Sequence, residues 1–222
     1  MRTLSVENVI KEGFSIGVKN AASLIGAVVL WLLTIWVPYI NVGTTIALCS
    51  IPVALSKGKV IYPTFIFESK YRKMMGEFLI QQGLSTVALF TSFLFMIIPG
   101  IVLSYSWSQA VYLLIDKEMN PLEALTQSNK LTYGYKWKLF FIDILIFVCI
   151  FLALLIFGGI ASAINDTFGQ LVIVVICVLI APFALGCSAV IYRQLCLAPA
   201  EEPAAEPVAE PAAAPAEEPA AE

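Results

Sequence analysis

The chain has 222 residues, of which 59% are apolar, 13% are charged and none is histidine. Soluble globular domains carry about a quarter charged residues, so half that charge with a mean hydropathy of +0.87 excludes a water-soluble domain. Without histidine there is no histidine zinc site and no Ser-His or Cys-His catalysis.

The charge is unevenly placed. Residues 199–222 hold seven glutamates and no lysine or arginine, so the acidic net charge of −3 describes the tail, and the body carries +4. The five cysteines, Cys49, Cys149, Cys177, Cys187 and Cys196, contain no C-x-x-C spacing and read as small apolar residues. No metal and no cofactor is implied.

Residues 1–19 lack the apolar core of a secretory signal, so the first membrane helix is expected to act as the targeting signal. Within residues 4–18, Val6, Val9, Ile10 and Phe14 recur at helical spacing between Glu7, Lys11 and Glu12, which predicts an amphipathic helix on the cytoplasmic rim.

Four stretches then run without charge: 37 residues over 20–56, 38 over 78–115, 22 over 144–165 and 26 over 167–192. One crossing takes about 20 apolar residues. The first two are therefore read as hairpins, with turns at 38–43 and at Pro99-Gly100. The last two form a third hairpin around Asn165-Asp166. The predicted fold is all-α: a polytopic membrane bundle of about six transmembrane helices in three hairpins, with amphipathic interfacial helices and a disordered tail. Residues 44–56 and 101–115 number 13 and 15. At 1.5 Å per residue both fall short of a roughly 30 Å hydrocarbon core.

Between the apolar runs, residues 64–75 mix Phe65, Ile66 and Phe67 with Lys70, Arg72 and Lys73 and predict a second interfacial helix. Residues 120–131 predict a third, started by Asn120 as cap, Pro121 in the first turn and Glu123. Tyr133, Tyr135 and Trp137 with Lys136 and Lys138 read as a membrane-interface anchor before the fifth span, not as a nucleic-acid patch. With six crossings all 13 basic residues fall on one side, which places both termini in the cytoplasm. Three segments result: an N-terminal amphipathic helix over 1–19, a transmembrane domain over 20–198 and a disordered Pro/Ala/Glu tail over 199–222 with proline at every fourth position from Pro203.

Few residues carry chemistry. Asp143 is the one ionisable group well inside an apolar stretch, and intramembrane carboxylates are costly and point to function. Arg193 across the hairpin and Lys136 two turns back are its candidate partners. Ser104, Tyr105, Ser108, Gln109 and Tyr112 form a polar stripe that either bonds a neighbouring helix or lines a small cavity. Gly158-Gly159 suggests close helix approach.

The order Ile97-Ile98-Pro99-Gly100-Ile101, then Ser108, Ala110, Asp116, Glu123-Ala124-Leu125, Ser128, Leu131-Thr132, Gly134 and residues 136–140, followed by Pro182 and residues 191–195, resembles a superfamily of bacterial integral membrane proteins. That superfamily is related to the membrane domain beside some glycerophosphoryl diester phosphodiesterases. The resemblance implies a helical bundle in the bacterial cytoplasmic membrane. It implies no catalysis, because the phosphodiesterase chemistry belongs to a separate histidine-containing domain that this sequence lacks. The expected function is a non-enzymatic scaffold or partner subunit. The alternative is a small transporter, permease or lipid-handling protein. The expected partners are membrane lipids and either another membrane protein or a second copy of the chain.

Overall fold

A computed structural model describes residues 4–59 and 61–197. The tail expected to be disordered, 199–222, lies outside them. Among the described residues every regular element is helical. The order is α1 (Val6–Lys19), α2 (Ala21–Thr34), α3 (Pro38–Ser56), a 3-10 turn (Pro63–Phe67), α4 (Ser69–Lys73), α5 (Met75–Phe95), α6 (Ile97–Trp107), α7 (Ala110–Lys117), α8 (Pro121–Thr132), α9 (Lys136–Ala153), a π-turn (Leu154–Gly158), α10 (Gly159–Ile164), α11 (Asp166–Tyr192) and a terminal π-turn (Arg193–Leu197). Five helical stretches are long and apolar enough to cross a membrane, and α1 with α2, bent by 78°, would make a sixth.

Two turns differ from the sequence expectation for one reason. Proline fixes φ near −65° and lacks an N–H, which suits the first turn of a helix. Pro38 therefore opens α3, and the chain reverses before it, at Ile35, Trp36 and Val37. Likewise Met96 is extended at φ −157° and ψ 136°, and Pro99 lies in the first turn of α6. The stretches read as too short lengthen accordingly, to 19 residues over Pro38–Ser56 and 21 over Ile97–Lys117. The third turn falls where expected. Asn165 accepts from the N–H groups of Thr167 at 2.8 Å and Phe168 at 3.2 Å and so caps α11.

The first arm is the short one. α2 has 14 residues, about 21 Å. It turns away from α1 at Asn20, whose backbone N–H and side-chain amide both bond the Ile16 carbonyl. α2 and α3 are tied by polar side chains: the Trp31 indole donates to Thr45 Oγ1 at 2.9 Å, and the Thr34 and Thr44 hydroxyls meet at 3.0 Å. Such bonds join helices where apolar burial gives no drive.

The helix over 6–19 forms as expected and packs Val6, Val9 and Ile10 on the core, with Gly13 and Gly17 extending the buried face in place of Phe14. Val9, Gly13 and Gly17 are buried, while Phe14 is 59% exposed. They pack along α11. A Cβ built on Gly186 would lie 2.2 Å from the Gly13 carbonyl oxygen, and one on Gly13 would lie 2.6 Å from Cys187 Sγ. Only glycine permits this backbone approach, the pattern small residues give in membrane helix pairs. The expected helix over 64–75 is divided into the 3-10 turn and α4, because Glu68 is extended at ψ 135°. α8 starts on Pro121 with Asn120 accepting from the Leu122 N–H, as its sequence signals. A left-handed Gly134 at φ 82° then turns the chain into α9.

Burial is one-ended. The core joins α1, the second half of α3, α7, α8, the first turns of α9 and the last turns of α11. This end also carries the lysine- and arginine-bearing loops. Towards the other end α5, α9, α10 and the first half of α11 expose large apolar side chains, Phe90, Phe95, Phe147, Ile160 and Leu171 among them.

Candidate functional site

The polar stripe, α9 and α11 converge on a small pocket of about 170 Å³. It is lined by Tyr105, Ser108, Gln109, Tyr112, Leu139, Asp143, Ser188 and Ile191. Four of the six residues expected to matter, Asp143, Ser108, Gln109 and Tyr112, thus come together, with Tyr105 beside them. Ser104 does not join them. Its hydroxyl bonds back to the Ile101 carbonyl at 2.7 Å. Arg193 does not join them either. It pairs with Glu12 of α1, because α1 packs against the end of α11 and brings a carboxylate to it. Lys136 instead donates to Asn129 Oδ1 at 3.2 Å. Neither expected cation reaches Asp143, whose polar neighbour is the Tyr105 hydroxyl. Ser188 was not legible as a pocket residue, since a lone serine in an apolar helix carries no local signal.

The hydrogen bonds leave the pocket asymmetric. Ser108 gives its proton to the Tyr105 carbonyl at 3.0 Å, so its oxygen accepts the Gln109 amide N–H at 3.2 Å. This fixes the amide orientation and leaves Gln109 Oε1, in a side chain 4% exposed, buried without a donor. Ser188 likewise gives its proton to the Ala184 carbonyl at 3.0 Å, and the Tyr112 hydroxyl lies beside it. The Gln109 backbone N–H is taken by Ser128, which in turn donates to the Ser106 carbonyl at 2.7 Å. Both serine protons at the pocket are thus spent on backbone carbonyls.

A second space adjoins the first. A groove of about 550 Å³ runs between α6 and α9, lined by Ile98, Ile101, Val102, Tyr133, Trp137 and Phe140, and it shares Tyr105 with the polar pocket. Its wall is an aromatic series. Trp137 meets Phe140 edge-on at 5.9 Å, and Phe140 meets Tyr105 edge-on at 5.9 Å. Lys136 also lines it. The volume lies within the range of small-molecule sites.

A third cavity, of about 580 Å³, sits at the basic end and includes Lys57, Lys59, Lys70 and Lys73 with Glu77, Asp116 and Glu118. Its charges nearly balance. Lys57 pairs with Asp116, and Lys70 lies 3.0 Å from Glu68. Burial alone would push the Lys70 ammonium down, but Glu68 and Tyr71 outweigh it and hold it above the usual lysine value. Among the described residues no group of histidine, cysteine, aspartate and glutamate side chains is placed to hold a metal ion.

Fold and site together define an all-helical protein with several helices able to cross a membrane, a packed basic end and a polar pocket opening beside an apolar groove. Comparison with family models, curated proteins and solved structures gives no match.

Proposed function

We propose that the chain is a multi-pass protein of the bacterial cytoplasmic membrane that binds a lipid, with its apolar chain in the α6/α9 groove and its polar head at the Tyr105–Asp143 pocket. One observation carries this reading: the 550 Å³ groove and the 170 Å³ pocket meet at Tyr105. An amphipathic ligand needs both kinds of surface side by side, and Tyr133 and Trp137 at the groove mouth are the residue types that settle at headgroup level. The lysine and arginine distribution supports six crossings with both termini in the cytoplasm, the first crossing being the bent α1–α2 pair. The sequence resemblance supports a bacterial membrane.

The reading is non-catalytic, as a chain without histidine suggests. Transport across the bilayer is the weaker form of it, because the polar groups gather in the packed half and the other half is lined by apolar side chains. A scaffold role is the competing proposal. It rests on the exposed apolar faces of α5 and α9, which are the faces that lipid also covers.

Native mass spectrometry of the full chain, released gently from its own membrane, separates the two. Lipid binding gives a retained phospholipid that Trp137→Ala weakens. A stoichiometric protein partner without lipid favours the scaffold and overturns the groove assignment.

A further inference from the structure

The small pocket has a definite chemical preference. Ser108 and Ser188 have given their protons to backbone carbonyls. The pocket is lined by Gln109, whose Oε1 is buried without a donor, by Tyr112 and by Asp143. Asp143 is exposed at the pocket lip, in the stretch of α9 that is otherwise apolar after Lys138, and among the described residues no lysine or arginine pairs with it. A carboxylate so placed is costly without a cation. A neutral alkyl group would leave the Gln109 oxygen unsatisfied.

We infer that Asp143 and Gln109 form a subsite for a primary ammonium group, so that the bound amphiphile is an amine-headgroup phospholipid. This deepens the lipid reading and rests on it. An ammonium brings three N–H donors and one positive charge. The pocket offers a carboxylate, an amide oxygen and a phenolic oxygen. The position also fits. Asp143 is seven residues beyond Lys136, about 10 Å along α9. The headgroup layer is about 5–7 Å deep, so a headgroup amine has only a few ångströms to descend.

The test is competitive lipid retention by the full-length protein in detergent, read by native mass spectrometry with dioleoyl-phosphatidylethanolamine, -phosphatidylglycerol and -phosphatidylcholine. The expected result is a preference for the ethanolamine lipid of about tenfold, the ratio that one charge-assisted hydrogen bond supplies. Asp143→Asn should abolish that preference by lowering retention of the ethanolamine lipid to the level of the other two. Asp143→Glu should keep part of it. Should Asp143→Asn fail to fold, the N-methylated series of the same lipid on the wild type tests the same claim, since each methyl removes one N–H and retention should fall stepwise. Equal retention of all headgroups overturns the ammonium subsite and leaves the groove standing. Equal retention combined with thermal stabilisation by free ethanolamine, lost in Asp143→Asn, overturns the lipid-borne amine in favour of a soluble one. Retention of no lipid at all overturns the groove reading itself.

Discussion

The Tyr192 hydroxyl donates to Asp116 Oδ2 over 2.7 Å, linking α11 to the end of α7 across 76 residues of sequence. Lys57 from the end of α3 pairs with the same carboxylate, whose side chain is only 8% exposed. Three helices are thus tied at one buried charge. Removing a partner from such a group leaves its desolvation uncompensated. Tyr192→Phe is expected to cost about 1–3 kcal/mol. Thermal unfolding in detergent checks this, and Asp116→Asn with Tyr192→Phe should cost less than the sum of the single changes.

The α1–α11 contact gives a sharper test. Gly186→Ala places a methyl against the Gly13 backbone, which cannot move aside as a side chain can. Overpacking of this kind costs about 1–3 kcal/mol, and α1 should separate from α11. Gly159→Ala is the control. Nothing lies within 4 Å of the added Cβ, and alanine is the better helix former by about 1 kcal/mol. A disulfide-trapping experiment between positions 10 and 190 would report the separation directly.

Arg193 and Asp143 should behave independently. Arg193 engages Glu12 with both side chains about half exposed, so that pair contributes at most about 1 kcal/mol. A double-mutant cycle of Asp143→Asn with Arg193→Gln is expected to show no coupling. The cycle of Glu12→Gln with Arg193→Gln should show a small positive one.

Topology is checked by labelling single cysteines placed in a chain freed of its five native ones. Cysteines at positions 36, 96 and 165 should react with an impermeant maleimide from outside the cell. One at position 130 should react only after the membrane is opened. Labelling of position 36 from the inside would make the bent α1–α2 pair re-entrant and leave five crossings.

Much of the helical layout was legible because its signals are local. Asn120 with Pro121, and Asn165, cap the helices their types announce. The turns at Pro38 and Pro99 were displaced by a few residues, because proline punctuates a chain by opening the next helix as readily as by breaking the last. Val6, Val9 and Ile10 marked the inward face of α1, but Phe14 falls outside it, and Gly13 and Gly17, which add nothing to an apolar pattern, complete it against α11. The stripe from Tyr105 to Tyr112 and the isolated Asp143 could be picked out as polar groups in apolar helices. Their meeting with each other and with Ser188 depends on how α6, α9 and α11 pack, and no spacing within one helix records that. The Arg193–Glu12 pair, 181 residues apart, is hidden for the same reason.

Photo-crosslinking tests the lipid site most directly. Cells supply a phospholipid carrying a diazirine on its acyl chain, the membranes are illuminated, and labelled peptides of the full chain are mapped. The expected result is labelling concentrated at Ile98, Ile101, Val102, Trp137 and Phe140, reduced by Trp137→Ala. Labelling spread evenly over the exposed faces of α5, α9 and α11, and unchanged by that substitution, would contradict a lipid held in the groove.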